Sequence, residues 1–336
     1  MVKMKDGTGM GRRILWLDGA KAIAIVAMII GHVVPLESSV RTLIFSFHMP
    51  LFFIATGFTH REPQDYIGWW KQVKKDIKRI LLPCVIACAV SVAFSVAFDG
   101  FGVLAESARY TLDGLLWSSA VEVKGHAALG ALWFLVALFW GKTFLGLTQV
   151  MFPGINRNIL YLFFALASRV LSQENLWLPQ AMDIVPIILT FLAVGEFLRS
   201  IYRNTYKKYS HWIVPGAFLL WSICVIQGIN IEIGTRYYPF FWLSILEAIA
   251  GSICVFALAE VLCQNAAVST MLTFIGRHTL ALLCIHTLDW PVAFLWNGQS
   301  VWCASILRLI VDLILLGCFV GLKYILFDNL LNKARN

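Results

Sequence analysis

A lysine and a histidine interrupt the first long apolar stretch of the chain. Lys21 and His32 are eleven positions apart, which is close to three helical turns, so on one helix they share a face and lie about 16 Å apart along the axis. A charged group near the centre of a membrane costs roughly 3 kcal/mol, which makes ionisable residues there candidates for a functional site. A histidine can take a proton from a hydroxyl or act as a nucleophile. Such chemistry is one interpretation of His32, and a histidine hydrogen-bonded within the core is the more common one for a lone histidine on an apolar helix.

The chain is far more apolar than a soluble protein. Of its 336 residues, 59% are hydrophobic and 14% are charged, whereas soluble domains have about 25% charged residues. We therefore predict an all-α, polytopic integral membrane protein with about ten transmembrane helices and no cleaved signal peptide. The apolar runs that could span a membrane are residues 14–35, 40–59, 80–98, 128–150, 158–171, 182–198, 212–229, 239–262, 278–296 and 302–325.

The net charge of +8 is distributed unevenly between the loops. If the amino terminus is cytoplasmic, most lysines and arginines fall in loops on that side. The opposite loops contain only Arg41, Arg109, Lys124 and Arg236. This asymmetry follows the positive-inside rule and predicts that both termini are cytoplasmic. It also accounts for the basic excess without nucleic-acid binding, which we do not expect. The same topology predicts a cytoplasmic tail at 1–13, a basic cytoplasmic loop at 60–79 and an outer loop at 99–127.

The cysteines do not suggest a metal site. All eight are scattered through apolar segments, and no set of cysteines and histidines has the spacing of a zinc site. We expect buried thiols and no bound metal.

Five motifs occur in the chain in one order: LDGAKAIAIVAMIIGH, FHMPLFFIATGF, LWFLVALF at 132–139, FLAVGEFLR at 191–199 and FIGRHTLALLCIH at 274–286. Together they resemble the membrane acyltransferase family 3, in which a basic residue on the first helix precedes a histidine by eleven positions. The resemblance implies a single membrane acyltransferase domain over residues 1–336. Within the family the chain is most similar to standalone fucose-type and surface-polysaccharide O-acetyltransferases.

The resemblance implies an enzymatic activity and its substrates. Members of the family transfer an acyl group, usually acetyl from cytosolic acetyl-CoA, to a hydroxyl presented at the outer face of the membrane. We therefore expect acetyl-CoA as donor, a glycan or lipid-linked sugar as acceptor, and a multi-pass location in the bacterial cytoplasmic membrane, in contact with its lipids. His32 becomes the expected catalytic residue. No oligomeric state is predicted.

Basic residues are the candidates for binding the donor. Lys21 could contact a phosphate of coenzyme A, or it could pair with Asp18 one turn earlier. The run KQVKKDIKRILLP at 71–83 resembles the family's Arg-x-x-Arg element, with Asp76 in the place of the first arginine. Donor binding by this run competes with simple attraction to anionic lipid headgroups. The candidates for donor binding are thus Lys21, Lys75, Lys78, Arg79 and, by stacking, Trp133.

Three further ionisable residues are candidates for binding the acceptor. They are His48, Glu247 and His286. Arg308 and Asp312, four positions apart on one predicted helix, are expected to form a neutralised structural pair.

Two other functions fit the same pattern of buried polar residues. A proton-coupled secondary transporter for an amino acid or sugar also needs ionisable residues within its helices, although we find no internal repeat. A membrane sensing or anchoring module is the other alternative.

Overall fold

The computed structural model describes residues 13–153, 157–173 and 176–333. Within these residues the protein is helical, and its only β-structure consists of two isolated bridges, Val123 with His126 and Glu232 with Tyr237. The predicted all-α class is therefore confirmed. The predicted tail at 1–13 lies outside the described residues, except for its last residue.

The α-helices of the described residues are α1 (Leu15–Gly31), α2 (Ser39–Phe45), α3 (His48–Thr59), α4 (Tyr66–Asp76), α5 (Leu82–Asp99), α6 (Leu104–Trp117), α7 (Trp133–Met151), α8 (Arg157–Gln173), α9 (Val185–Ile201), α10 (Lys207–Ile226), α11 (Phe241–Leu262), α12 (Ala266–Arg277), α13 (Thr279–Thr287) and α14 (Val301–Lys333). Short 3-10 turns occur at Phe101–Val103, Gly130–Leu132, Pro179–Ile184, Ile233–Thr235 and Trp290–Leu295. Single π-helical turns join α4 to α5 at Ile77–Leu81 and α9 to α10 at Tyr202–Tyr206.

Seven helices of the described residues are long and apolar enough to cross a membrane, or eight if the bent pair α12 and α13 forms one broken span. The difference from the predicted ten has local causes. Helix α1 has 17 residues, and the apolar part of α8 is only Ile159–Leu171. The predicted span 278–296 is interrupted because α13 ends at Thr287 and meets α12 at a bend of 62°. The cytoplasmic location of the termini stays a prediction.

The basic segment 60–79 was predicted as a cytoplasmic loop, and its cytoplasmic location stays a prediction. Its larger part is helical, because Asp65 caps α4 by accepting a hydrogen bond from the Gly68 N–H at 2.6 Å. From there the helix continues through the π-turn into α5, so that Tyr66–Asp99 forms one long candidate span. The basic residues therefore lie on the first turns of this long helix.

The segment 99–127 folds into α6 and a tight return. Asp113 accepts hydrogen bonds from the Ala127 N–H at 2.7 Å and from Nδ1 of His126 at 3.0 Å. These two donors hold the pKa of the Asp113 carboxyl below its usual range. The His126 ring stacks on Trp117 with ring centroids 4.0 Å apart. The segment is thus an ordered element that places α6 beside the start of α7.

Close helix contacts through glycine position α1 and α3. A Cβ atom at Gly276 of α12 would lie 1.8 Å from the Asp18 carbonyl oxygen of α1. Between α3 and α9, a Cβ atom at Gly57 would lie 1.9 Å from the Leu192 oxygen, and one at Gly195 would lie 2.1 Å from the Ile54 oxygen. Such small residues let helix backbones approach closely inside a membrane. They fix the position of the helices that carry the candidate site.

A buried polar network ties the end of α3 to three other helices. His60 donates through Nε2 to Gln149 at 3.0 Å, and Gln149 donates to Glu196 at 2.9 Å. Tyr161 donates to the other Glu196 oxygen at 2.6 Å, and Arg199 donates to the His60 carbonyl. Burial lowers the pKa of His60, so its ring is neutral near pH 7. The network has the partners that a structural cluster requires.

Candidate active site

His32 is the residue that ends α1, and its side chain is exposed. Its backbone N–H donates to the Met28 carbonyl at 3.1 Å, which completes the last helical turn. The ring lies 6.4 Å from that of Phe45 and 5.3 Å from that of His286, measured between centroids. The planes of the two imidazoles are perpendicular. An exposed ring at this position can meet a substrate while it also contacts a second histidine.

His286, on α13, is buried, with 2% of its surface exposed. Its Nδ1 lies 2.8 Å from Oδ2 of Asp312 and 3.6 Å from Oδ2 of Asp289. Its Nε2 is buried and has no hydrogen-bond partner in the described part of the chain. One nitrogen of His286 is therefore held by carboxylates and the other is available.

Arg308 neutralises one of these carboxylates. Its Nε and Nη2 lie 2.5 and 3.0 Å from the two oxygens of Asp289, and Nη2 also lies 3.5 Å from the His286 carbonyl oxygen. The predicted pairing of Arg308 with Asp312 is wrong. Although the two residues are one turn apart on α14, Arg308 extends to Asp289, beyond the end of α13, and Asp312 faces His286.

Arg41 packs on Phe45, whose ring is also a neighbour of His32. It donates to the Gly31 carbonyl at 2.9 Å, lies 3.4 Å from Glu232, and covers the Phe45 ring at 3.8 Å from its centroid. Sequence analysis treated Arg41 only as a loop cation. Its partner Glu232 is 191 positions away, so no local pattern indicates the contact.

His48, a predicted acceptor-binding residue, is separated from His32 by Phe45. It is buried, its Nδ1 donates to the Ile44 carbonyl at 2.9 Å, and its ring meets Phe45 edge to face at 4.6 Å between centroids. This hydrogen bond within α2 and α3 orients the ring. The structure thus brings His32 and His286 together and places His48 behind an aromatic ring.

Lys21 lies in the amino-terminal half of α1, eleven residues before His32. Its Nζ is 2.6 Å from Oδ1 of Asp18, and Arg13 is 2.7 Å from the other Asp18 oxygen. The alternative that Lys21 pairs with Asp18 is therefore observed. The Lys21 side chain keeps 27% exposure, so pairing leaves part of it accessible. Contact with a phosphate stays a prediction.

The basic run on α4 and the π-turn has its aspartate facing inward and its three candidate donor-binding residues facing outward. Asp76 is buried and pairs with Lys142 of α7 at 2.7 Å. Lys75, Lys78 and Arg79 are exposed. The structure thus explains why an aspartate can stand within a cationic run, since Asp76 faces the bundle. We call Lys75, Lys78 and Arg79 the basic stripe.

Trp133 and Glu247, the remaining predicted residues, lie within the packed interior. Trp133 is 5% exposed and packs against Gly234, where a Cβ atom would come within 2.8 Å of its indole ring. Glu247 on α11 is fully buried, and neither carboxyl oxygen has a hydrogen-bond partner among the described residues. Ser244, on the preceding turn, is equally buried and its hydroxyl has no partner there. Neither residue is brought to the exposed face of His32 by a described contact.

His286, Asp289 and Asp312 also form a group whose ligand atoms lie within 4.8 Å of one another, a spacing that could hold a metal ion. Two observations fit a hydrogen-bonded cluster better. The 2.8 Å contact between His286 and Asp312 has the length of a charge-assisted hydrogen bond. The Arg308 guanidinium already occupies both oxygens of Asp289. We therefore read the cluster as a set of proton donors and acceptors.

The comparisons with known proteins identify the family of the chain. No curated protein and no solved structure gives a significant match. The sequence profile of the acyltransferase-3 family, described as an acyltransferase domain, matches residues 14–327. This match runs from the first residues before α1 into the last part of α14 and includes every residue of the histidine and carboxylate cluster. The chain therefore belongs to the acyltransferase-3 family, and it is a membrane acyltransferase.

Proposed function

We propose that the protein transfers an acetyl group from cytosolic acetyl-CoA to a hydroxyl of an extracytoplasmic glycan or lipid-linked sugar in the cell envelope. The observation that carries this proposal is the exposed imidazole of His32 beside the buried, carboxylate-held imidazole of His286. In the described cluster, His32 is the ring that a substrate can reach without displacing a protein contact.

In the proposed reaction His32 acts as a general base. It removes the proton from the acceptor hydroxyl while the oxygen attacks the thioester carbon of the donor. The bond between carbon and oxygen forms, the bond between carbon and sulfur breaks, and the proton passes to the sulfur of the leaving coenzyme A. Removal of such a base costs about 10² to 10⁴ in rate. His32 could instead carry the acetyl group itself, with the acceptor oxygen attacking in a second step.

The donor side of the proposal relies on the amino-terminal half of α1. Lys21 remains partly exposed there, and the exposed basic stripe provides cations suited to phosphate. The distance between Lys21 and His32 along α1, about 16 Å for a regular helix, is comparable with the length of an extended pantetheine arm. The nucleotide can therefore stay at the Lys21 end while the thioester reaches His32.

Membership in the acyltransferase family favours this enzyme over a secondary transporter or a sensing module. The test uses the purified protein in lipid vesicles, with radiolabelled acetyl-CoA and an envelope glycan extract. We expect label in the glycan fraction, and a mass increase of one acetyl group on the modified sugar. Label that stays in acetyl-CoA and free acetate, with every glycan fraction tested, would contradict the proposal.

A further inference from the structure

Three features of the interior go beyond the proposed reaction. The aromatic cluster around Trp16, Tyr202 and Tyr206 is filled by its own stacked rings, and buried Glu247 has no described partner that would indicate a ligand. The cluster of His286, Asp289, Arg308 and Asp312 has both a defined geometry and, at Nε2 of His286, a buried nitrogen without a hydrogen-bond partner among the described residues.

Asp312 and Asp289 determine which nitrogen of His286 carries a proton. Both carboxylates face Nδ1, at 2.8 and 3.6 Å. Arg308 binds Asp289 through two hydrogen bonds, which favours the ionised form of that carboxylate. A nitrogen surrounded by carboxylate oxygens is a donor, so the proton lies on Nδ1. The lone pair of the neutral ring then lies on Nε2.

This lone pair is buried and needs a donor. Only 2% of the His286 surface is exposed. A buried acceptor without a hydrogen-bond partner lowers the stability of the fold by about 1–3 kcal/mol. The neighbouring group able to donate is His32, whose ring meets His286 edge to face at 5.3 Å between centroids. Nε2 of His286 makes no direct hydrogen bond in this structure, and at this separation a bridging water or a small rotation of the His32 ring completes the contact.

We propose that His286 is a positioning residue, which accepts the N–H of His32 at Nε2 and so fixes the orientation and the proton location of the catalytic ring. This inference rests on the proposed function. With one His32 nitrogen donating to His286, the lone pair of the other nitrogen points to the opening and takes the hydroxyl proton. Asp312 acts through His286, in the way that a carboxylate orients a histidine base in other acyl-transfer sites.

The cluster also compensates the charge that the reaction creates. When His32 holds the hydroxyl proton it is an imidazolium. Asp289, Asp312 and Arg308 together carry a formal charge of about −1 when both acids are ionised, and their position behind His286 stabilises the cation without contacting the substrate.

The first test is Asp312→Asn, which keeps the shape of the side chain. The asparagine amide can donate to Nδ1 of His286, which moves the ring proton to Nε2 and turns that nitrogen into a donor. His32 must then accept there and loses the lone pair that faces the substrate. We expect kcat to fall by about 10²-fold or more, with the KM for acetyl-CoA within about twofold of the parent value.

A matched control is Asp183→Asn. Asp183 is also buried, and it pairs with Arg236 through two hydrogen bonds, apart from the histidines. This variant should lower the melting temperature and leave kcat near that of the parent at a temperature where it is folded. The two variants therefore separate loss of positioning from loss of stability.

The second test is a double-mutant cycle that combines His286→Asn with His32→Ala. If His286 acts only through His32, His286→Asn lowers kcat by about 10²-fold in the parent. In the His32→Ala background it changes the residual rate by less than about twofold, because no ring remains to be positioned. Melting temperature and elution from a sizing column verify folding, and His286→Gln replaces His286→Asn if that variant does not fold.

Four outcomes overturn the inference. The first is a parent rate in Asp312→Asn. The second is an additive cycle, in which His286→Asn lowers the residual rate as strongly as it lowers the parent rate. The third is a raised acceptor KM with unchanged kcat in His286→Asn, which makes His286 an acceptor-binding residue. The fourth is loss of activity in a chelator that a divalent cation restores, which makes the cluster a metal centre. Failure of the proposed function is distinct, since the parent protein then transfers no acetyl group to any acceptor.

Discussion

The chemistry of the site depends on how each ionisable residue near His32 is paired. A carboxylate neutralises each of the two arginines of the site, Glu232 for Arg41 and Asp289 for Arg308. Asp312 remains for His286. Pairing lowers the cost of placing such charges within a helical bundle. In the described cluster His32 is the exposed member, which suits a base that must meet substrate.

We expect His32→Ala to leave only a small residual rate of transfer and to keep the fold intact. Loss of the base costs at least about 10² in rate, whereas truncation of an exposed side chain changes the free energy of unfolding by about 0.5 kcal/mol or less. Transfer of radiolabelled acetyl groups and thermal unfolding in detergent measure the two effects. His211→Ala, at another exposed histidine, is the control and should keep both values. Retention of more than about a tenth of the activity in His32→Ala would remove His32 from the mechanism.

For individual residues, the sequence predicted the members of the candidate site better than it predicted which of them form ion pairs. Lys21 and His32 share α1, so their relation follows from helical geometry. The partner of Asp312 could not be read in the same way, because its distance from His286 depends on the bend between α12 and α13 and on the placement of α14. The spacing of four residues on one helix predicted Arg308 as the partner of Asp312. In the structure Asp312 instead pairs with His286 of another helix.

Helices and their ends decide where substrates can approach. Helix α4 begins at Tyr66, with Asp65 as its N-cap. The ion pair between Asp76 and Lys142 fixes the rotation of this helix about its axis. Sequence analysis predicted the basic character of 60–79 and missed its helical structure, because the run of charges obscured a continuous helix that is apolar only in its later turns. The basic stripe consequently lies on a rigid element.

Replacement of Lys75, Lys78 and Arg79 by glutamine should weaken donor binding more than it slows the chemical step. Contacts with phosphate that are equal in the ground and transition states appear mainly in the KM for the donor, and we expect that constant to rise by about tenfold or more, as loss of charge-assisted hydrogen bonds of about 1.5–3 kcal/mol implies. Initial rates at varied acetyl-CoA concentrations measure it.

Lys71→Gln with Lys74→Gln is the matched control for this triple variant, since both lysines are exposed on the same helix, upstream of the stripe. A rise in donor KM confined to the triple variant supports donor binding. An equal change in both variants, or an unchanged constant in the triple variant, would assign the run to lipid headgroups.

The contact between α3 and α9 gives a stability prediction at the scale of elements. In Gly195→Ala the new methyl group would lie 2.1 Å from the Ile54 carbonyl oxygen, so the two helices must separate. Overpacking of this kind typically costs about 1–3 kcal/mol, and we expect a lower melting temperature. Gly216→Ala on α10 is the control, because nothing lies within 4 Å of its added Cβ atom. Equal melting temperatures for the two variants would show that the helices do not approach as closely as described.

For the whole molecule, the sequence predicted a helical membrane protein of the acyltransferase-3 family, and both statements are confirmed. The number of spans was less predictable. Length and hydropathy identify a helix that crosses a membrane alone, but α1 is short and α12 with α13 is bent. Helix α1 packs closely against α12 through Gly276. The position of α1 is therefore determined by its neighbours in the bundle and cannot be read from the length of α1 alone.

The direction of the reaction is the last prediction. If the positive-inside rule assigns the topology correctly, acetyl-CoA binds at the Lys21 end of α1 from the cytoplasm, and the acceptor meets His32 from outside. The two residues are about 16 Å apart on a regular helix, so a pantetheine arm can bridge them while the nucleotide stays on the cytoplasmic side.

Inside-out vesicles supplied with external acetyl-CoA should acetylate an acceptor enclosed in their lumen. Sealed right-side-out vesicles given the same external donor should not, and they should become active when a pore-forming detergent admits the donor. Equal labelling in both orientations, with vesicle integrity verified, would contradict both the assigned topology and a path that leads in one direction through the bundle.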